Sequence, residues 1–311
     1  MNNIGDVRVK VLYIGGSGRC GSTLLSLLFS ELQDFIDCGE IVNIWQRGFN
    51  ENRLCACGAP FSDCAYWSLV ANNFNEHNRL DSNYIGQLVS QSVRYRNYFS
   101  LRNANRNNSS KGYEDVIECI SNLYLSISTI ARGKIIVDSS KLATYSRLLK
   151  LLPNVDLFYI NLVRDPRAVV YSWGKKIKYD PNGAKEMDRF GAVHAALTWK
   201  AAYWTAEDTL KDIQGTTTRY EDLVSDTRNV FSKLMVDVNS WAGNKLAIDA
   251  FNDLSWSTVS HSLSGNPLRF RRGEGIKLDD AWKKSFKGLS RSATEIICLP
   301  EIIKYGYLHS A

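Results

Sequence analysis

The segment from Val11 to Phe29, VLYIGGSGRCGSTLLSLLF, constrains the fold more than any other part of the chain. An apolar run ends in the glycine-rich stretch Gly15–Thr23, here called the phosphate loop, and a second apolar run follows at once. Glycines at such a junction let backbone N–H groups converge on an anion, and the positive end of the helix dipole adds to the attraction. The segment therefore predicts a strand, an anion-binding loop and a helix; a purely structural turn is the less favoured alternative.

The phosphate loop departs from the pattern found in nucleotide hydrolases. That pattern, G-x-x-x-x-G-K-[ST], places a lysine on the β- and γ-phosphates and a hydroxyl on magnesium. Counted from Gly16, the second glycine is present as Gly21, but Ser22 occupies the lysine position and Arg19 is the only cation of the loop. Stabilising a transferring γ-phosphoryl group is difficult without that lysine. The loop is predicted to bind a phosphate-like group without hydrolysing a triphosphate.

Strand and helix patterns alternate along the chain. Strands are predicted at Lys10–Ile14, Lys134–Val137, Asp156–Val163 and Thr216–Tyr220. Helices are predicted at Ser22–Leu32, Ile85–Leu101, Tyr113–Ile130, Leu142–Leu152, Arg167–Lys178, Ala184–Ile213 and Asp222–Trp241, with a polar break at Asn103–Lys111 and a long loop at Ser255–Gly275. This alternation predicts an α/β protein with a central parallel sheet covered on both faces, whose ligand lies at the carboxyl ends of the strands.

Composition excludes several classes of protein. The 311 residues are 23% charged and 44% hydrophobic, which is typical of soluble globular proteins. The net charge of +6 suits an anionic ligand, but the basic residues are spread out, so nucleic-acid binding is not indicated. The polar start from Met1 to Lys10 does not resemble a signal peptide, and no uncharged apolar run could span a bilayer. A cytoplasmic location is expected.

Seven cysteines, an odd number in a long chain, argue against a disulfide framework. Three of them cluster as Cys55, Cys57 and Cys64 and could supply three thiolates to zinc. The nearest histidine after them in the sequence is His77, thirteen residues beyond Cys64, so the sequence offers no nearby fourth ligand. Reduced thiols or one local disulfide are therefore favoured, and a structural zinc is the alternative.

A second junction of strand and helix lies at Ile160–Trp173, INLVRDPRAVVYSW. Asp165 suits a helix N-cap and Pro166 suits the first helical turn, which places Arg164 at the carboxyl end of the strand. Ser172 follows Arg164 by eight residues, about two helical turns, and could face the same side. Alone, this pattern is a common capping arrangement; together with the phosphate loop it predicts a second anion site.

At these motifs the chain resembles the sulfotransferase superfamily, which uses 3′-phosphoadenosine 5′-phosphosulfate as donor. The sequence GGSGRCGSTLL resembles the family's 5′-phosphosulfate loop, and LVRDPRAVVYSW resembles its 3′-phosphate motif. Blocks similar to those of bacterial carbohydrate-type and tyrosylprotein sulfotransferases follow at Val137–Lys141, Arg219–Leu223 and Gly265–Gly273. The resemblance implies one domain over residues 1–311, a three-layer sandwich of the kind found in P-loop nucleoside-triphosphate hydrolases. A cysteine-containing, helical insertion at about residues 50–132 would then shape the acceptor site.

The resemblance also implies the roles of individual residues. The donor would be bound by Ser17, Gly18, Arg19, Cys20, Gly21, Ser22 and Thr23 at its 5′ end, by Arg164 and Ser172 at its 3′-phosphate, and by Tyr220, Asn266 and Arg269. Glu40 follows Arg19 by 21 residues, after a short return strand and in a Cys-Gly-Glu context, and is the expected general base. Arg19 and Lys141 would assist catalysis, and the chemistry would need no metal. His194 and His261 are weaker base candidates, the first expected in a helix and the second in the loop that covers the nucleotide.

The acceptor is not specified by these motifs. A saccharide or glycolipid hydroxyl is expected first, and a tyrosine or small alcohol second, with Trp45 and Trp67 as candidates to stack on sugar rings, although such aromatics are more often core residues. One alternative function is a small-molecule kinase, for which Asp138 could bind magnesium while the loop lysine is missing. Another is a non-catalytic protein that binds anionic nucleotides or glycans.

Overall fold

A five-stranded, entirely parallel sheet forms the centre of the molecule. The computed structural model describes residues 8–104, 112–179, 186–243, 246, 256, 258–273 and 275–308. The strands are β1 (Val9–Gly16), β2 (Phe35–Gly39), β3 (Ile135–Lys141), β4 (Val155–Val163) and β5 (Gly215–Arg219), in the spatial order β2-β3-β1-β4-β5. The predicted α/β class with a parallel sheet is confirmed.

Helices connect the strands and cover both faces of the sheet. They are α1 (Ser22–Ser30), α2 (Trp67–His77), α3 (Ser82–Ser92), α4 (Tyr98–Asn103), α5 (Glu114–Ile130), α6 (Ala143–Leu151), α7 (Pro166–Gly174), α8 (Ala192–Thr209), α9 (Tyr220–Ser225), α10 (Thr227–Ala242), α11 (Ala281–Ser285), α12 (Leu289–Ile297) and α13 (Leu299–Lys304). In the described parts of the chain, no helix combines the length and the apolar character needed to cross a bilayer.

Side chains along β1 alternate between the two faces of the sheet, and this alternation explains why a layer of helices packs on each face. Val11 and Tyr13 point to one face, where α2, α5 and α6 complete an apolar core, while Leu12 and Ile14 point to the other, against α1 and α10. A third apolar cluster joins α7, α8, α11 and α13 at the β4 side of the sheet. Burial on both faces accounts for the nearly continuous apolar sequence of β1.

Four predicted helices differ from the observed ones. The expected helix Arg167–Lys178 ends earlier, at Gly174. The expected helix Ile85–Leu101 is interrupted between α3 and α4, where the Asn97 side chain donates to the carbonyl oxygens of Gln91 and Ser92 and so terminates α3. Asp226, with φ −141° and ψ 61°, separates α9 from α10 within the expected helix Asp222–Trp241. The expected helix Ala184–Ile213 begins only at Ala192, and its first two residues lie outside the described ranges, as does most of the predicted break at Asn103–Lys111.

Strand register brings the polar strand ends together. Gly15 of β1 pairs with Lys141 of β3 on one side and with Asn161 of β4 on the other, and Gly39 ends β2 opposite Asp138. The residues that follow each strand therefore lie along one edge of the sheet. This edge carries the phosphate loop, Glu40, Lys141 and Arg164.

Candidate active site

The phosphate loop has the backbone of an anion cradle. Gly16 and Gly21 adopt φ values of 128° and 98°, which side-chain-bearing residues rarely reach, and a Cβ on Gly21 would lie 2.4 Å from the Tyr220 ring. No side chain of a described residue caps the amino end of α1. The first N–H groups of this helix thus open toward the sheet edge, where an anion would satisfy them.

Arg19 lies in this loop in an unfavourable conformation and an unfavourable environment. Its φ of 69° is uncommon for a residue with a side chain. The guanidinium lies 5.0 Å above the Trp173 ring and Nη1 contacts Met187 Sδ, whereas the buried Nε and Nη2 have no hydrogen-bond partner among the described residues. Burial lowers the pKa of Arg19. Because unpaired buried donors are costly, this arrangement favours an anionic ligand at Arg19.

Arg164 connects the two motifs that the sequence analysis identified. Asp165 accepts from the Arg167 N–H and caps α7, which confirms the predicted N-cap and fixes Arg164 at the end of β4. Arg164 Nη1 donates to the Arg19 carbonyl at 3.0 Å, and Nη2 donates to Asp279 at 3.2 Å. Its guanidinium lies 4.4 Å above the Tyr220 ring, and Nε has no hydrogen-bond partner in the described part of the chain. A second buried cation therefore adjoins the phosphate loop.

Glu40 lies directly after β2 at the centre of a charged network. One carboxylate oxygen accepts from Lys141 Nζ, and the other accepts from Arg47 at 3.1 Å and from the Ser264 hydroxyl at 2.9 Å. Asn43 adds a fourth donor at 2.8 Å. Lys141 has a φ of 70°. Like Arg19, it is therefore a cationic residue of the site with a left-handed backbone conformation.

These contacts determine the charge of Glu40. Burial by itself would raise the pKa of the carboxyl, but the positive charges of Lys141 and Arg47 outweigh burial and lower the pKa to about 2. Glu40 is therefore a carboxylate at every ordinary pH. Its side chain is still 14% exposed, which leaves it accessible to a small hydroxyl compound.

One cavity of about 570 Å³ collects these groups. Its volume lies within the usual range for small-molecule sites. Eleven of the predicted residues line it: Gly18, Arg19, Gly21, Ser22, Thr23, Glu40, Lys141, Arg164, Ser172, Tyr220 and Asn266. The phosphate loop and the motif that contains Arg164 therefore line the same cavity, although Arg19 and Arg164 are 145 residues apart in the sequence.

Three predicted donor-binding residues lie behind the cavity wall. Ser17 donates to the Gly18 carbonyl, Cys20 is fully buried, and Arg269 donates to the Gly265 carbonyl at 2.8 Å. Their side chains support the loops rather than line the cavity.

Several lining residues were not predicted from the sequence. Arg47 pairs with Glu40 from seven residues away, on a π-helical turn at Trp45–Asn50. Trp173 stacks with Arg19, and Tyr179 contacts the guanidinium of Arg47 at 5.1 Å. Trp173 directly follows the predicted Ser172, and this position in the sequence could have identified Trp173 as a lining residue. Arg47 carried no comparable signal, because it belongs to none of the recognised motifs.

Asp138 and the two tryptophans proposed for ligand contact are core residues. Asp138 accepts from the Tyr124 hydroxyl at 2.5 Å and from Ser140, and burial raises its pKa to about 6. Trp45 and Trp67 are almost completely buried. None of the three lines the cavity.

A separate cluster joins Cys55, Cys57 and Cys64 with His261, and it corrects the sequence analysis. The expectation that no fourth ligand is nearby was wrong, because folding brings His261 to the three thiols from 197 residues beyond Cys64. His261 does not line the main cavity, and His194 lies exposed on α8 beside Phe190. Hydrogen bonds from Cys55 and His261 lower the pKa of the Cys64 thiol against the opposing effect of burial.

Two solved structures that are similar to this chain are sulfotransferase domains. The sulfotransferase domain from the Synechococcus PCC 7002 olefin synthase aligns with 95% of this chain and 96% of its own, at 16% identity and a TM-score of 0.52. The sulfotransferase domain from the curacin biosynthetic pathway aligns over 95% and 98%, at 14% identity and a TM-score of 0.51. No family model and no curated protein matches the sequence. The chain therefore has the sulfotransferase fold, as predicted.

Proposed function

We propose that the protein is a sulfotransferase that moves a sulfuryl group from 3′-phosphoadenosine 5′-phosphosulfate to an acceptor hydroxyl, with Glu40 as general base. The single observation that carries this proposal is the Arg19 guanidinium of the phosphate loop, in which two buried nitrogens lack hydrogen-bond partners among the described residues. The fold shared with sulfotransferase domains supports the same reaction.

The donor fits the chemistry of the cavity. Its 5′-phosphosulfate would take the N–H groups at the start of α1 and the open donors of Arg19, with Ser22 and Thr23 beside them. Arg164 and Ser172 would hold the 3′-phosphate, and the Tyr220 ring, already stacked on Arg164, would flank the nucleotide. Ser17, Cys20 and Arg269 would act by holding the loops in place.

The transfer would be a direct, in-line displacement. The acceptor oxygen forms a bond to sulfur while the bond between sulfur and the oxygen of the 5′-phosphate breaks, and the leaving bisphosphate keeps the electron pair. Glu40 accepts the proton of the acceptor hydroxyl. Arg19 and Lys141 stabilise the negative charge that develops on the leaving phosphate, so that the reaction depends on positioning and fixed charge.

Lys141 would also control the strength of the base. In the free protein its contact with Glu40 holds the carboxylate at a pKa of about 2, which is weakly basic. A bound phosphosulfate is an alternative partner for the Lys141 ammonium. If Lys141 turns toward the bridging oxygen of the donor, Glu40 loses its nearest positive charge and its pKa rises, because burial remains. The base would thus strengthen when the donor is in place.

The acceptor we propose is a saccharide or glycolipid hydroxyl, delivered from the side of the variable insertion at residues 50–132. Arg53 of this insertion lies 4.5 Å from the Tyr179 ring, and Tyr179 lines the cavity together with Arg47 and Glu40. A tyrosine or small alcohol is the second candidate. Kinase activity is disfavoured because the loop has no lysine and the Asp138 carboxylate is engaged by Tyr124 and Ser140.

Replacing Glu40 with Gln tests the enzymatic role. We expect adenosine 3′,5′-bisphosphate to bind the variant, while sulfuryl transfer from labelled donor, screened over saccharide, tyrosine and alcohol acceptors, falls roughly 10²- to 10⁴-fold. The matched control is Glu118→Gln, which changes an exposed glutamate on α5. Unchanged transfer by the Glu40 variant would remove Glu40 from the mechanism. Bisphosphate binding without transfer in the wild type would support a non-catalytic nucleotide-binding protein.

A further inference from the structure

The second chemically distinctive feature of the molecule is the cysteine–histidine cluster, Cys55, Cys57, Cys64 and His261. One ligand atom from each residue lies within 4.8 Å of all the others. Cys57 Sγ and Cys64 Sγ are 3.6 Å apart, and His261 Nδ1 lies 3.7 Å from Cys55 Sγ and 3.4 Å from Cys64 Sγ. Three thiols and one imidazole therefore converge on a common centre, away from the main cavity.

These separations match the edges of a zinc tetrahedron. With Zn–S near 2.3 Å and Zn–N near 2.0–2.1 Å, a tetrahedral site requires about 3.8 Å between two sulfurs and about 3.6 Å between sulfur and nitrogen. The three measured separations fall within a few tenths of an ångström of these values. Three sulfurs and one nitrogen also form the donor set of closed, structural zinc sites.

The local fold holds the thiols in this arrangement. The Cys55 N–H donates to the Ala59 carbonyl at 2.8 Å, and the Gly58 N–H donates back to the Cys55 carbonyl at 2.9 Å. Gly58 adopts a φ of 95°, which permits this tight turn between the cysteines. The Cys64 N–H donates to the Pro60 carbonyl at 2.9 Å. Residues 55–64, here called the knuckle, therefore form a compact loop in which the three sulfur atoms lie close together.

Independent contacts orient His261 toward this knuckle. The Trp67 indole N–H donates to the His261 carbonyl at 2.7 Å, and the His261 ring stacks on Tyr66 with 4.9 Å between centroids. The Ala56 N–H donates to the carbonyl of Ser262 at 3.0 Å. These contacts fix the backbone and ring of His261 so that Nδ1 faces the sulfurs, as the fixed ligand of a metal would.

We propose that these four residues bind a structural Zn²⁺ through three thiolates and the Nδ1 atom of a neutral imidazole. A disulfide between two of the cysteines would leave the third thiol and the oriented imidazole without a role, whereas zinc uses all four. All seven cysteines are free thiols in the structure.

The zinc would fasten a segment that reaches the active site. His261 belongs to residues 258–273, here called the covering segment. Within it, the Ser264 hydroxyl donates to Glu40, and the Asn266 N–H donates to Thr23 Oγ1 at 3.1 Å. Zinc at His261 would thus tie the knuckle of the insertion to the wall of the main cavity.

Metal analysis of the full chain tests the proposal. Protein purified without chelator should contain about one zinc per chain by inductively coupled plasma mass spectrometry. Cys64→Ser and His261→Ala should reduce this content several-fold. The matched controls Cys119→Ser, a buried thiol elsewhere, and His194→Ala, an exposed imidazole, should retain it. Zinc-free wild type that does not take up added Zn²⁺, or equal zinc content in all four variants, would overturn the site.

Spectroscopy of the wild type avoids dependence on variants that fail to fold. Replacing the metal with Co²⁺ should give thiolate-to-cobalt charge-transfer bands and the d–d absorption of a tetrahedral complex, whereas octahedral spectra without charge transfer would contradict the proposal. Mass spectrometry that finds a disulfide between Cys57 and Cys64 in the native protein would also contradict it. These readouts need no donor or acceptor, so their outcome is separate from that of the proposed sulfuryl transfer.

Discussion

The main cavity and the cysteine–histidine cluster are connected by the covering segment but are assembled in different ways. The cavity is built from short contiguous motifs, each at the end of a strand: the phosphate loop after β1, Glu40 after β2 and Arg164 after β4. The cluster combines a local knuckle with one histidine from 197 residues beyond Cys64. A site at strand ends can be inferred from the sequence, because parallel strands place their carboxyl ends at one edge of the sheet. A site completed by a loop carries no such signal.

The two regions also differ in what their side chains lack. In the cavity, buried guanidinium nitrogens of Arg19 and Arg164 have no hydrogen-bond partners among the described residues, which is why we propose an anionic ligand there. In the cluster, sulfurs and an imidazole nitrogen converge, which is why we propose a metal cation there. Substitutions in one region should therefore leave the ligand of the other in place.

Arg19→Ala should have the larger effect of the two cavity substitutions below. Loss of the guanidinium removes charge stabilisation at the leaving phosphate, and we expect sulfuryl transfer to fall roughly 10²- to 10³-fold. The zinc content of this variant should equal that of the wild type. Arg132→Ala is the matched control, because Arg132 is an exposed arginine with a similarly left-handed φ of 54°. An equal loss of sulfuryl transfer in both variants would show that the Arg19 substitution acts only by changing the backbone conformation or the stability of the protein.

Lys141→Met should have the smaller effect on rate and a distinctive effect on pH dependence. In the wild type, Glu40 has a pKa of about 2, so protonation of Glu40 should not limit kcat/KM in the ordinary pH range. Without Lys141, burial still raises the pKa of Glu40, while Arg47 and the Ser264 hydroxyl still lower it. The pKa should therefore increase, and the loss of kcat/KM at low pH, the acid limb of the profile, should begin at a higher pH than in the wild type. Arg47→Leu should shift the limb less, since Arg47 is the weaker of the two influences. An identical acid limb in all three proteins would show that Lys141 does not set the state of Glu40.

The sequence predicted the strand-end motifs of the cavity better than it predicted Arg47 or the helices of the insertion, for a physical reason. Arg164 and Ser172 share one strand-to-helix unit, so their relative positions follow from local geometry. The Arg47 contact with Glu40 depends instead on a π-helical turn that no periodicity indicates. The break before α4 depends on Asn97 capping the carbonyls of α3.

His261 illustrates the same limit for the cluster. Its position relative to Cys64 is determined by the packing of the covering segment against Trp67 and Tyr66, and not by spacing along the chain. Three of the four residues of the cluster could therefore be grouped from the sequence, and the fourth could not. The fold class, by contrast, follows from alternating apolar patterns that are repeated through the whole chain.

The most direct test of the central claim is a calorimetric comparison of three nucleotides. We expect adenosine 3′,5′-bisphosphate to bind at least about tenfold more tightly than adenosine 5′-monophosphate, because Arg164 and Ser172 would bind the 3′-phosphate. Arg164→Ala should remove most of that difference. ATP with magnesium should show no preference over the bisphosphate. Equal affinity for the bisphosphate and the monophosphate, or tighter binding of magnesium ATP, would contradict the assignment of this cavity to a sulfuryl donor.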